Sequence, residues 1–302
     1  MPRMSKHRGR LVAAACALTA ALVVTGCSDS EPQPPSVSST PPSSQVADQK
    51  LPLEAYLLSA DESGQVQQAY HGLITACMQR FGRTYKSVQP EQSGPRSLVD
   101  RRYGVTDADL AARHGYHLPG PSDGDAAGPN LTPDDILVLD GAVRDIDGKP
   151  TLAVGALRDP AGKPLPKDGC RGESNRTLGN LDVTAAAREL NTRSYELSKR
   201  DSRVRAAMRA WSACMSASRY NYPEPLAAVD DPRFSGDAPT PLEIAVAVAD
   251  VACEERTNPA GTWFAVESAY QKRLIAEHRD ALERVQKAKL AQLKTVASVL
   301  RG

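Results

Sequence analysis

The chain has 302 residues, 37 of them Lys or Arg and 36 Asp or Glu, for a formal net charge of +1, which gives no basic footprint for a nucleic acid. Aromatic residues make up only 5%, too few for a carbohydrate surface of stacked rings, and they fall in stretches with helical periodicity. Pro and Gly crowd the beginning and the middle, so regular structure is expected mainly after them.

The chain opens with a basic run, Arg3, Lys6, Arg8 and Arg10, followed by an apolar run over 11–24 that is too short to span a bilayer. Val24-Thr25-Gly26-Cys27 then reads as a lipobox. In signals of this kind the cysteine thiol receives a diacylglycerol, the preceding peptide is removed and the new amino terminus can be acylated. Residues 1–26 are therefore expected to be a lipoprotein signal peptide, and Cys27 the lipidated first residue of the mature protein. The alternatives are an ordinary secretory signal or a single anchor helix. Losing the leader removes four basic residues and no acid, which takes the net charge from +1 to about −3. About 275 residues remain, enough for one sizeable core.

Residues 27–50 are rich in Ser, Pro and Gln, with hardly a large apolar side chain. Such a stretch is expected to be a disordered tether, reaching roughly 70 Å if extended at about 3.1 Å per residue. The folded domain is expected over 51–302. A helix is predicted over 61–81, with Val66, Tyr70, Leu73, Cys77 and Phe81 on one stripe and Gly82 as its stop. His71 lies beside that stripe and reads as a partly buried structural histidine. From 83 to 173 the pattern becomes a loop-rich insert. Within it, Thr106-Asp107-Ala108-Asp109 caps a short helix ending near Gly115, and Thr132-Pro133-Asp134-Asp135 caps another ending near Gly141. A strand is expected over 151–157, with a hairpin partner at most over 142–146.

Two long helices are expected to dominate the rest. Over 183–218, Leu190, Ser194, Leu197, Asp201, Val204, Met208, Trp211 and Met215 recur in steps of four and three, the seam of a long antiparallel pair. The expected partner runs over 262–300, about 60 Å at 1.5 Å per residue, with Trp263, Val266, Tyr270, Leu274, His278, Leu282 and Val285 on one side. Between them Thr240-Pro241-Leu242-Glu243 is a capping box opening a helix over 242–256. Residues 244–249 are apolar all round, so that helix is expected at the centre. The fold class is accordingly mainly α, a disulfide-stapled helical bundle with long antiparallel helices and a loop-rich insert.

With Cys16 lost in the leader and Cys27 lipidated, Cys77, Cys170, Cys214 and Cys253 remain. In an oxidising compartment they should pair, and no CxxC spacing suggests zinc. Ala76-Cys77-Met78 with Tyr85 is echoed by Ala213-Cys214-Met215 with Tyr222. In each half the next cysteine is followed by charged residues, which favours Cys77 with Cys170 and Cys214 with Cys253 over the two other connectivities. That second bond would bring two helix ends to one pole, and the turn Asn258-Pro259-Ala260-Gly261 would start the last helix there. Trp211 and Trp263 are then expected in one aromatic cluster over the bond. Leu51-Pro52-Leu53-Glu54-Ala55-Tyr56, the Cys77-Met78 helix end, Gly169-Cys170-Arg171-Gly172-Glu173, Trp211 to Met215, and Glu243 to Cys253 together resemble a group of uncharacterised actinobacterial secreted lipoproteins with a lipobox and two disulfides. The resemblance implies architecture and address, and no activity.

Chemistry is sparse. There is no GxSxG, HExxH, Walker loop or GxGxxG after a strand, and no cofactor or metal is expected. His114-Gly115-Tyr116-His117 near Asp107 and Asp109 could approach a metal, but Gly115 should end the helix and separate them, leaving solvated loop histidines. Asp123-Gly124-Asp125-Ala126-Ala127-Gly128 imitates a calcium loop but has Ala127 where an oxygen ligand belongs. Glu173, Asn175 and Arg176 are the candidate lining of a polar cleft. The basic C-terminal helix, with Arg284, Lys287, Lys289, Lys294 and Arg301, reads as a solvated face, with anionic lipid or wall polymer as the alternative. The leading expectation is a membrane-anchored cell-envelope lipoprotein facing the extracytoplasmic side, a non-catalytic module presenting a surface to a protein or cell-wall partner. The alternatives are a solute-binding lipoprotein of a transporter and a cell-wall hydrolase drawing on Glu173, His71 or the Asp-rich insert.

Overall fold

Capping and turn residues set most helix ends where the sequence places them. The computed structural model describes residues 34–86, 97–119, 130–144, 150–151, 157–179 and 181–302. The leader, Cys27 and the Asp123 loop lie outside the described residues. Helix α1 (Ala60–Arg80) starts at Ser59, whose hydroxyl accepts from the Glu62 amide while the Glu62 carboxylate accepts from the Ser59 amide. It stops where Gly82 takes φ +67°. Asp107 caps α2 (Ala108–His114), and Thr132 caps α3 (Pro133–Asp140), which Gly141 closes in the left-handed region. The insert is more helical than expected, since it leads into a further helix from Gly169. Among the described residues its hairpin shows β1 (Val143–Arg144) against β2 (Pro150–Thr151), and most of the expected strand over 151–157 lies outside the described residues. Helix α4 (Gly169–Leu178) then packs on α1 and α3.

Each of the two long helices turns out to be a pair. The first divides into α5 (Ala185–Lys199) and α6 (Ser202–Ala217). Asp201, counted in the apolar stripe, is the cap of α6. Its carboxylate accepts from the Arg203 amide at 2.9 Å and holds the Arg203 guanidinium at 2.8 Å. The second divides at His278 into α9 (Pro259–Glu277) and α10 (Arg279–Leu300). The breaks fall at Asp201 and at His278, polar members of the two stripes; Asp201 caps the helix that follows, whereas His278 makes no side-chain cap, and the hydrophobic spacing continues in register across both. The bend at His278 has a use. Helix α9 packs on α5 and α6, whereas α10 packs on α1, α4 and α5. No helix among the described residues is long and apolar enough to cross a membrane.

Helix α8 (Pro241–Thr257) corrects a third expectation. Its N-terminal capping box forms, and α7 (Pro225–Val229) precedes it. Yet Leu242 and Val248 face solvent, and the buried face carries Glu243, Asp250 and Glu254 beside Val246, Ala247, Val251 and Cys253. Both disulfides form as favoured, Cys77 to Cys170 with Cα atoms 5.6 Å apart and Cys214 to Cys253 at 5.7 Å. The first ties α1 to the first turn of α4, the second ties the last turns of α6 and α8. The echo between the two halves is therefore local. Met78 and Met215 are both buried beside their cysteines, but Cys170 and Cys253 sit at opposite ends of their helices.

The two tryptophans do not share a cluster. Trp211 packs with Cys214 and Cys253, and its indole N–H donates to Asp250 at 2.8 Å. Trp263 lies between Tyr103 and Tyr195, with ring centroids 5.2 and 4.9 Å away, and donates to Ser198 at 2.9 Å. A buried indole needs an acceptor as well as apolar neighbours, and the two acceptors stand on different helices.

The expected disorder over 27–50 is overturned for residues 34–50. Pro34–Gly302 is one compact unit that contains both disulfides and all five apolar clusters, so it holds the interactions that fold it. Within it residues 34–50 form a strap with a 3-10 helix, Ser43–Asp48, laid on α8 and α9. Composition misled because few contacts suffice here. Val46 and Leu51 enter the cluster around Trp263, Asn258 Nδ2 donates to the Pro41 carbonyl at 3.0 Å, and the bare Cα of Gly261 lets the strap approach. A Cβ at Gly261 would stand 1.9 Å from the Pro41 oxygen. Val46→Asp should therefore free the strap: limited proteolysis is expected to cut residues 34–50 in the variant and spare them in the parent. Equal resistance of the two proteins would show that the strap is held otherwise.

Candidate functional site

Two kinds of place in the fold concentrate chemistry, a set of buried acids and an open groove. The acids come first because they are unusual. Glu243, Asp250, Glu254 and Glu267 are all 0% exposed. The first three sit seven and four residues apart on α8, one face of a helix. A buried carboxyl group is tolerated only with partners, and each of these has recruited a distant segment.

Glu243 closes the capping box with Thr240 and also receives the Tyr116 amide at 2.8 Å. His117 Nδ1 lies 2.7 Å from the same oxygen, and its Nε2 lies 2.7 Å from the Gly236 carbonyl. Both ring nitrogens face acceptors, so the ring is best satisfied as the imidazolium, and its pKa is raised first by the Gly236 carbonyl and then by Glu243. His117 is thus no solvated loop histidine. Gly115 makes the approach possible, since a Cβ there would meet Glu243 Oε1 at 2.6 Å. Asp107 is spent on capping α2, and among the described residues no cluster of three or more His, Cys, Asp or Glu could hold a metal ion.

Asp250 accepts from Trp211 Nε1 at 2.8 Å and from the Tyr116 hydroxyl at 3.1 Å. Burial pushes its pKa to about 7, with those two hydrogen bonds opposing the shift. Burial and the charge of Asp250 push Glu254 to about 8. Geometry supports a proton on Glu254. Ser43 Oγ lies 2.8 Å from Glu254 Oε2 and 2.9 Å from Asn258 Oδ1, and one hydroxyl proton cannot serve both acceptors. With Glu254 protonated, it donates to Ser43 and Ser43 donates to Asn258, whose amide is already oriented by its bond to Pro41. On α9, Glu267 receives Arg102, the Tyr103 hydroxyl at 2.8 Å and Ser194 at 2.9 Å, while Gln271 one turn on accepts from the Leu53 amide at 2.8 Å. These groups are posts that hold segments.

The sequence-picked cleft residues do not converge. Glu173, Asn175 and Arg176 lie within α4 on its outer side, where Glu173 pairs with Arg80 and Arg176 reaches Asp168 at 3.8 Å. Glu173 and Arg176 make surface ion pairs and Asn175 is exposed beside them, because the segment is the helix itself and not its cap. His71 is half-buried between the rings of Tyr70 and Tyr85, its pKa lowered by burial and then by Arg171.

The open site was missed. A groove of about 590 Å³ lies over the joint between α5 and α6, its floor made by Val204 and Met208 and its rim by Lys199, Arg200, Arg205 and Arg209. Glu224 pairs with Lys199 at 2.9 Å and Glu196 with Arg200 at 3.2 Å. Arg205 and Arg209, one turn apart, have guanidinium groups with no partner among the described residues. The signal was present as Arg200, Arg205 and Arg209 about one turn apart beside the stripe, but it reads as a solvated face until the joint opens a groove. Compared with known protein families, curated proteins and solved structures, the chain gives no match.

The acids fix the pH response. For Asp250 and Glu254 the folded pKa lies above the ordinary carboxylate value, so the folded state keeps protons that the unfolded chain has released. Their stabilisation is complete below about pH 4 and is lost as pH rises to about 8, and His117 adds to the loss above its ordinary value. Asp201 and Asp135 have lowered pKa values, and their contribution is lost as pH falls below about 4. Urea midpoints should thus be highest in mild acid and decline towards about pH 9. Glu254→Gln, which cannot ionise, should flatten the decline; an unchanged slope would show that Glu254 is ionised in the fold. Trp211→Phe, which leaves Asp250 short of a donor, should cost about 1–3 kcal/mol in the same measurement.

Proposed function

We propose that this protein is a lipid-anchored module of the cell envelope that works by binding, through the groove at the α5–α6 joint. One observation carries the reading: open volume and unneutralised charge coincide there, on two helices braced by packing on α9 and by the Cys214–Cys253 bond. The lipobox supplies the anchor. The buried acids serve the strap, the 115–117 turn and the indole of Trp211, so the reading rests on the groove and not on them. A solute-binding role is the second reading, favoured by a groove volume within the usual range for small ligands.

Docking of the strap changes the expected reach. Between Cys27 and Pro34 stand six residues, which span no more than about 25 Å when fully extended. The folded unit would then be kept near the membrane, and its partner would be found there. The direct test is fractionation and in-cell crosslinking. Cys27→Ala should leave the membrane fraction or stay unprocessed. A photo-crosslinker placed at Arg205 should capture a membrane-proximal partner in the parent, and crosslinks only to itself or to small solutes would favour the solute-binding reading. Membrane retention of the Cys27→Ala protein at the level of the parent would overturn the anchor.

A further inference from the structure

We propose that residues 34–50 form a latch held by a single proton on Glu254, and that ionisation of this carboxyl group lets the strap leave α8 and α9 while the bundle stays folded. The inference goes beyond the groove and does not depend on it. Its support is the direction of a hydrogen-bond chain. Ser43 Oγ lies 2.8 Å from Glu254 Oε2 and 2.9 Å from Asn258 Oδ1, and Asn258 Nδ2 donates to the Pro41 carbonyl at 3.0 Å. A carbonyl oxygen can only accept, so the Asn258 amide is oriented with its own oxygen towards Ser43. Ser43 must then spend its one proton on Asn258, which leaves Glu254 to donate. From the acid outward every bond runs one way, and the proton at the head is required. Without it, Glu254 and Asn258 compete for the Ser43 proton. Turning the Asn258 amide over only moves the conflict to Pro41, where oxygen would face oxygen.

The surroundings make an anion at this place costly. Glu254 is 0% exposed and Ser43 2%. Glu254 Oε1 has no hydrogen-bond partner among the described residues, which a neutral acid tolerates far better than a carboxylate. The strap offers Glu254 the Ser43 hydroxyl, and the start of α9 offers the Ala260 amide at 3.2 Å. Gly104 and Pro225 of α7 close the Oε1 side, where a Cβ on Gly104 would stand 3.6 Å from that oxygen. On α8 itself Asp250, one turn earlier, adds a like charge. Tyr116 and His117, which follow α2, and Trp211 of α6 are turned to Asp250 and Glu243. No cation is bonded to Glu254 among the described residues, and burial, then Asp250, push its pKa to about 8. Once the strap has left, water reaches the group and its ordinary pKa returns. The docked state therefore holds a proton that the open state releases, so docking is strongest in acid and weakens as pH rises to about 8. Opening can stay local because Val37 and Val46 are the strap's whole share of the apolar clusters, and neither disulfide involves it.

The test is hydrogen exchange on the full chain in detergent micelles, followed by mass spectrometry and expressed as protection factors, which divide out the intrinsic pH dependence of exchange. The Gln45 and Gln49 amides, bonded to Pro42 and Val46 within the strap, report its state. Their protection should fall about tenfold per pH unit from about pH 6 to about pH 8, the slope of one proton. Dilute urea should change it little, whereas amides of α5 and α9 should be far better protected and respond steeply to urea. Glu254→Gln, whose amide donates to Ser43 at every pH, should hold strap protection at the parent's acid value throughout. Ser43→Ala, which removes the middle of the chain, should lower strap protection in acid by about tenfold and leave α5 protected. Flat strap protection in the parent or an undiminished slope in Glu254→Gln overturns the proposal. So does a strap that shares the urea dependence of α5, which would make its opening part of global unfolding, or one that Ser43→Ala leaves unchanged.

Discussion

A carboxyl group taken out of water must be given hydrogen-bond donors or a proton, and α8 takes three of them inside. Each answers the demand with a different distant piece of chain. Glu243 holds the turn at Tyr116 and His117, Asp250 holds the Trp211 indole, and Glu254 holds Ser43 of the strap. Apolar contact alone would let these segments slide, since it is not directional. The polar contacts fix where each one lies, and leaving any of these groups without its partner is costly. Helix α9 repeats the arrangement with Glu267 and Gln271, which fasten Arg102 and the Leu53 amide. The loop-rich insert is thus bound to the bundle by the acids of α8 and α9.

That logic also separates what the sequence discloses from what it hides. Helix starts were legible at Asp107, Thr132 and Thr240 because capping acts within four residues, while the Ser59 cap of α1 went unread. The disulfide pairs were legible from local echoes around each cysteine. Asp201 and His278 were misread because a polar residue on an apolar stripe looks like a tolerated exception, when it is the point at which one helix stops. Helix α8 was misjudged for a related reason: an apolar run hides which side is buried when the decisive residues are acids at its ends. The strap was misjudged because its ordering depends on acceptors and a bare Cα more than two hundred residues away, which no local composition reports.

The candidate site divides in the same way. Glu173, Asn175 and Arg176 drew notice as a dense polar string beside a disulfide, but one helix spreads such a string around its outer side. The arginines of α6 were ordinary by spacing. What gives them meaning is the break at Asp201 and the groove that lies over it. Both depend on long-range packing, so neither could be read from spacing.

The strap has a consequence for the order of folding. Ser43 meets partners 211 and 215 residues further along, and the Gly261 amide that approaches it is 218 residues away. Contacts of such separation close large loops and form late. In a chain delivered from its amino end, residues 34–50 are the first of the folded unit to emerge, yet have no seat until α8 and the start of α9 have followed. Until then Val46 and Leu51 remain uncovered, the earliest segment to appear and the last to be protected.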